Sequence, residues 1–107
     1  MFTTTDTEGY RELLEGVKMR TLVHGDKTLM AEFRLDKGAS IPAHRHPYEQ
    51  TGYLVAGSLR FDVEGEVTVA TPGDSWNLAA DVEHGADVLE DSVVVEVFSP
   101  VRDDYLP

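Results

Sequence analysis

The sequence predicts an all-β fold, a sandwich or barrel of short strands. Three observations predict it. Turn signals recur about every eight to twelve residues, the segments between them alternate apolar with polar positions, and no long stretch carries helical periodicity. At 107 residues the chain is long enough for one core but not for two. No internal linker, low-complexity tract or fixed-period repeat divides it.

Taken in order, residues 1–6 are polar and read as a loose end. Leu13, Leu14 and Val17 lie near helical spacing, so residues 7–15 read as a short helix or turn, with Gly16 as its stop. Residues 1–16 are thus expected to form an N-terminal arm, and 17–107 a single domain. Val17, Met19, Thr21 and Val23 share one face of a first strand, and Gly25-Asp26 turns it into a second, where Leu29, Ala31, Phe33 and Leu35 are the apolar face. Strands are then expected at 51–55, 59–63, 67–71, 75–78, 84–89 and 92–98. Turns at Ala56-Gly57, Glu64-Gly65, Pro72-Gly73-Asp74 and Glu90-Asp91 would separate them.

Composition removes several function classes. No run of about 18 apolar residues and no basic-then-apolar leader is present, so neither a membrane span nor a secretory signal is expected, and the cytoplasm is the default location. Without cysteine, disulfides, thiolate metal sites and cysteine nucleophiles are excluded, leaving nitrogen and oxygen ligands. Nine Lys and Arg against twenty Asp and Glu give a net charge of −11, which disfavours the phosphate backbone of nucleic acid as a partner. A small anion is less affected, because charges beyond a Debye length of about 8 Å are largely screened.

The stretch from Gly38 to Gly57, GASIPAHRHPYEQTGYLVAG, holds the chemistry. His44 and His46 stand two apart, so on a strand both imidazoles can face one metal ion. Pro42, Pro47, Gly38 and Gly52 around them suggest a strand end running into a turn, where a site would be open to substrate. His-x-His alone also occurs on ordinary exposed strands. The full spacing, from Gly38 through His44, His46 and Gln50 to Gly57, resembles the first motif of the cupin superfamily, with glutamine in place of its usual glutamate. Downstream, Gly73 and His84 stand where the second cupin motif has its glycine and histidine, while Ala79, Asp81 and Val88 replace that motif's proline, glycine and asparagine. The resemblance covers roughly residue 20 to the end and implies a cupin-type jelly-roll barrel, or double-stranded β-helix.

It also implies one divalent metal ion held by His44, His46, Gln50 and His84. Nickel, zinc, manganese and iron stay open, since imidazole does not select among such metals. Neutral imidazoles and an amide leave the ion's charge uncancelled. A glutamate would cancel one unit, worth up to about 4 kcal/mol at a separation of about 4 Å, so the glutamine variant favours anionic oxygen ligands. Glu49 competes with Gln50 as the ligand, and spacing favours Gln50. His24, beside a hairpin glycine, and Arg45, on the opposite strand face from its histidine neighbours, read as surface residues. Trp76 reads as a packing residue rather than a sugar platform.

Near the C-terminus, Glu96 interrupts the otherwise core-like run VVVEVF. Either it faces solvent on an edge strand or it points into a polar cavity, because a buried, unpaired carboxylate is costly. Ser99-Pro100 then ends the strand, and Arg102 follows where the chain can fold back over a barrel mouth, which favours the cavity. The run from Glu96 to Leu106 is similar to the C-terminal signature of the small cupins of pectin and alginate breakdown, which convert 4,5-unsaturated uronate monosaccharides to linear keto sugars. The same group commonly has a histidine-proline followed by an acid-glutamine pair, matched by His46-Pro47 and Glu49-Gln50. By that resemblance Glu96 and Arg102 are the catalytic candidates, and Phe98 and Arg102 would bind an anionic sugar. The group usually has aspartate at the position of Glu96, and plain core packing is the competing reading of Phe98. The resemblance implies a homodimer as well, formed through residues 17–35. Other metal-dependent cupin activities, a dioxygenase or a sugar isomerase, and a non-enzymatic small-molecule binder are the alternatives.

Overall fold

Alternating apolar residues between Val17 and Leu35 build the first hairpin of a barrel. In the computed structural model, which describes residues 1–107, β2 (Val17–His24) and β3 (Leu29–Leu35) pair antiparallel, and Gly25 N–H closes their turn on the Thr28 carbonyl at 2.9 Å. Val17, Met19, Leu29, Ala31 and Leu35 are buried on the inner face. A register shift between Thr21 and Val23 ends the alternation of β2 early. The remaining strands are β1 (Arg11–Leu14), β4 (Ser40–His44), β5 (Glu49–Val63), β6 (Glu66–Ala70), β7 (Ser75–Leu78) and β8 (His84–Ser99), with a single 3-10 turn at Asp103–Tyr105. The all-β architecture is as expected, and no helix is long and apolar enough to cross a membrane.

Three local expectations are corrected. Residues 11–14 form an edge strand, not a helix or turn: Arg11 pairs with Met19, Glu12 with Lys18 and Leu14 with Val17. Three apolar residues are too few to nucleate an isolated helix, whereas the open edge of β2 satisfies the backbone at once. The turn signals at Ala56-Gly57 and Glu90-Asp91 fall inside the continuous strands β5 and β8. They mark a bend there, not a reversal, because glycine in the left-handed region serves a bulge as well as a turn.

That bend makes two layers from one ladder. The first half of β5 pairs with β7 and its second half with β6; the first half of β8 pairs with β4 and its second half with β3. Between the halves the β5–β8 register shifts repeatedly from Leu54 to Leu59. Gly57 has φ +98, and the buried Ser92 hydroxyl accepts the Ser58 N–H at 3.1 Å while donating to the Glu90 carbonyl at 2.7 Å. One amide and one carbonyl left over by the bulge are thereby satisfied without water.

The core divides in two. One cluster, including Val17, Leu35, Leu54, Leu59 and Val94, fills the barrel floor. The other, of Met19, Leu29, Ala31, Phe98 and Tyr105, lies beneath the C-terminal tail, where the 3-10 turn sets Tyr105 edge-on to Phe98 with ring centroids 5.4 Å apart. Phe98, Met19, Leu29, Leu54 and Leu59 are fully withdrawn from water, each contributing about 1.5–3 kcal/mol. Thr21 donates its hydroxyl to the Tyr105 carbonyl and Arg11 its guanidinium to that of Asp104, so β1 and β2 hold the tail across the barrel end.

A methyl group on residue 57 would sit 2.1 Å from Ser92 Oγ and 2.4 Å from the Asp91 carbonyl oxygen. Gly57→Ala is therefore expected to lower stability by about 2–4 kcal/mol, combining overpacking with left-handed strain. A denaturant midpoint equal to that of the wild type would show that the bend does not depend on this glycine.

Candidate metal centre

His44 ends β4 and His84 opens β8, and the ladder sets them opposite each other. His46 lies just past β4, in a loop pinned by the Asp81 N–H donating to the His46 carbonyl at 2.8 Å. The three rings converge, with centroids 4.5 Å apart for His44 and His84, 4.9 Å for His46 and His84, and 5.4 Å for His44 and His46. One nitrogen from each falls within 4.8 Å of the others, a spacing that could hold a metal ion. Nδ1 of His44 is 2.9 Å from the Pro42 carbonyl and Nδ1 of His84 is 2.8 Å from that of Val82. Such contacts fix the tautomer and leave Nε2 as the free electron-pair donor.

The residues fit a divalent ion on their own chemistry. Gln50, on the inner side of β5, has a buried Oε1 without a hydrogen-bond partner, and so has Nδ1 of His46. Burial, reinforced by the nearby Arg102 guanidinium and by the His44 ring beside it, holds the His46 ring below the usual imidazole range. Burial chiefly lowers His84 as well. Both are kept neutral, the form that binds a metal. Glu49, the competing ligand, faces outward and accepts from Asn77 Nδ2 at 2.9 Å, since neighbouring strand residues point to opposite faces. Arg45 is exposed and paired with Glu83 at 3.1 Å, and His24, at the end of β2, stands outside the cluster.

Glu96 points inward. Its residue is only 5% exposed, it lines the same cavity as the imidazoles, and Trp76 Nε1–H donates to its Oε1 at 3.2 Å. Burial pushes the carboxyl up to about 7, against the opposing pull of the Gln50 amide and the Trp76 indole. Phe98 is a core residue, and its ring also borders the cavity, 6.1 Å from the His46 ring.

Arg102 stacks on aromatic rings. Its guanidinium carbon lies 3.8 Å from the Tyr105 ring centroid, 4.9 Å from Phe98 and 5.0 Å from Tyr48. Asp104 holds its fork side-on, with Nε–H donating to Oδ1 at 3.2 Å and Nη2 donating to Oδ2 at 2.7 Å. The Arg102 hydrogen bonds keep the Asp104 carboxyl below its usual range. Sequence reasoning missed Tyr48, Tyr105 and Asp104 as companions of Arg102. The only local signal was the i, i+2 spacing of opposite charges. Trp76 does pack, against Phe61 with centroids 4.6 Å apart, but its link to Glu96 was not foreseen.

The three imidazoles, Gln50, Glu96, Phe98, Arg102 and Tyr105 line one cavity of about 390 Å³, which also takes in Leu13, Leu14, Val17 and Leu59. A family model described as "Cupin domain" matches residues 31–99. The chain belongs to the cupin family. Over 103 residues this cupin is 33% identical to the pectin degradation protein KdgF of Dickeya dadantii (strain 3937), covering 94% of each chain. The structure of KdgF from Halomonas sp. superposes with a TM-score of 0.93 at 32% identity, covering 99% of this cupin and 100% of that chain. An RmlC-like cupin from Shewanella frigidimarina NCIMB 400 superposes with a TM-score of 0.92 at 28% identity, over 98% and 95% of the two chains.

Glu96 makes stability depend on pH with a defined sign. Its folded value of about 7 lies above its ordinary 4.5, so the folded state keeps a proton that the unfolded chain has lost between those values. The contribution is intact below pH 4.5, declines as pH rises, and levels off above 7 at a loss of about 3 kcal/mol. In chelator-treated protein, Glu96→Gln should therefore gain on the wild type by up to about that amount between pH 5 and 8. A stability difference that stays flat across this range would place the carboxyl in a water-like setting.

Proposed function

We propose that this cupin converts 4,5-unsaturated uronate monosaccharides, as released in pectin breakdown, to linear keto sugars. The observation that carries the reading is the convergence in one cavity of three imidazoles, a buried carboxyl at Glu96 and the guanidinium of Arg102. The similarity to the pectin degradation protein KdgF supports it. The reaction is an isomerisation and needs no co-reactant. The anomeric hydroxyl gives up its proton, the bond from C1 to the ring oxygen breaks to leave an aldehyde and a C5 enolate, and that same proton, delivered to C4, turns the enolate into a ketone.

His44, His46, His84 and Gln50 would hold a divalent ion, which when bound supplies Lewis acidity toward substrate oxygens. Glu96 moves the proton from oxygen to carbon. A carboxyl with a pKa of about 7 both accepts and releases a proton near neutrality, as Brønsted behaviour favours. Arg102 grips the uronate carboxylate. Asp104 takes its Nε side, so the Nη1 end of the fork stays available, and the three stacked rings hold the plane in place. Phe98 and the apolar wall exclude water from the reacting carbons.

Elemental analysis of protein purified without chelator or nickel resin should find about one equivalent of a divalent metal per chain, and little in His44→Ala/His46→Ala. In an unsaturated-uronate assay Arg102→Ala should raise KM by about tenfold to a hundredfold, as loss of a charge-assisted pair implies, with metal content unchanged. Glu96→Gln should bind substrate but lose turnover by about a hundredfold or more. Full activity of Glu96→Gln, or metal-dependent oxygen consumption in place of uronate turnover, would overturn the reading.

A further inference from the structure

Trp76, Gly52 and Glu96 stand abreast on β7, β5 and β8, each in register with the next. Residues opposite one another in a ladder project to the same face, so this row faces the barrel interior with its middle side chain missing. The Trp76 indole reaches across the gap to Glu96 Oε1 at 3.2 Å. A Cβ on residue 52 would lie 2.2 Å from Trp76 Nε1 and 2.5 Å from Glu96 Oε2, closer than atoms can approach. Glycine at this place therefore marks the close approach of two side chains over a strand. The indole is braced on its own side by the Phe61 ring.

The two carboxyl oxygens of Glu96 are thereby made unequal. Oε1 is held by the indole, while Oε2 is buried without a partner in a residue that lines the cavity. An indole N–H only donates, so the protonated acid cannot give its hydrogen to Trp76. We propose that Trp76 is the positioning residue for Glu96, acting through the slot left by Gly52. It anchors Oε1 and leaves Oε2 as the oxygen that carries the transferable proton. Its consequence for turnover rests on the uronate reading above; the anchoring itself does not. A glutamate has one more rotatable bond than an aspartate, and a fixed donor at one oxygen restricts that freedom before substrate arrives.

Trp76 is the sole tryptophan, so its indole N–H gives one resonance in a proton–nitrogen correlation spectrum of the zinc-loaded protein. In the wild type it should lie downfield of a free indole. It should move upfield in Glu96→Ala and in Gly52→Ala, with a smaller shift in Glu96→Gln, the variant that keeps the shape of the side chain. Trp76→Phe keeps the ring against Phe61 and removes only the donor. In protein as purified it should lower kcat by about tenfold or more, with KM and bound metal unchanged. It should have no further effect in a Glu96→Gln background. An indole resonance that ignores both Glu96 variants overturns the anchor. Equal kcat losses from Trp76→Phe in the wild type and in Glu96→Gln would show a packing role instead. An indole that responds in a protein with no uronate turnover supports the anchor and overturns the substrate assignment.

Discussion

Strands β5 and β8 pair along their whole lengths, and each bends midway where the register slips around Gly57 and Ser92. Because both strands bend together, each contributes one half to either layer of the barrel, and no chain reversal intervenes between the halves. The site is distributed along this pair. Gln50 comes from the start of β5, His84 from the start of β8 and Glu96 from near its end, while β4 adds His44 by pairing with β8 at His84. A slip of one residue anywhere in the β5–β8 ladder would carry Gln50 or Glu96 to the outer face, since strand side chains alternate. The register that closes the core is thus the one that assembles the cavity.

The same packing sets the electrostatics. A chain of net charge −11 is a poor host for an anion at long range, yet several acidic groups around the site are paired. Asp104 is committed to Arg102, Glu83 to Arg45, and Glu49 to Asn77. What faces the cavity is three convergent imidazoles able to bind a cation, of which burial holds His46 and His84 neutral, and the free end of a guanidinium stacked among three rings. Glu96 does not oppose this field below about pH 7, because burial keeps it protonated. A cavity that keeps its acid protonated below about pH 7 and holds His46 and His84 uncharged repels an anion less than the composition around it would.

Much of this was legible in the sequence, and the failures have physical reasons. The β2–β3 hairpin was readable from its alternation, and the clustering of His44, His46 and His84 from the spacing of two motifs. The long strands were not, because Ala56-Gly57 and Glu90-Asp91 are ordinary turn sequences and only the partner strand decides whether they reverse the chain or bulge it. β1 was misread because four edge residues, all exposed, have too little pattern to oppose a few leucines at helical spacing. Gly52 falls within the strand expected at 51–55 and lies inside β5, but its place opposite both Trp76 and Glu96 was not readable. A glycine within a strand does signal a close approach, but its partners lie 24 and 44 residues away, and register alone reveals them. The aromatic setting of Arg102 was hidden for the same reason, since Tyr48, Phe98 and Tyr105 meet only when the tail folds over the barrel.

Glu96 is the residue that folding alone does not account for. Its inward neighbours along β8, Val94 and Phe98, are core residues, and an apolar side chain of similar volume would continue their face without desolvating a carboxyl. An indole hydrogen bond and a neighbouring Gln50 amide do not replace the hydration of two carboxyl oxygens. Gly52 adds a second local loss, for a glycine within a strand gives up packing and entropy. Two neighbouring positions thus depart from what the barrel prefers, and each departure makes room for the other. Local rules broken together at one place, beside three convergent imidazoles and an arginine, are the pattern of a site where stability is given up for chemistry.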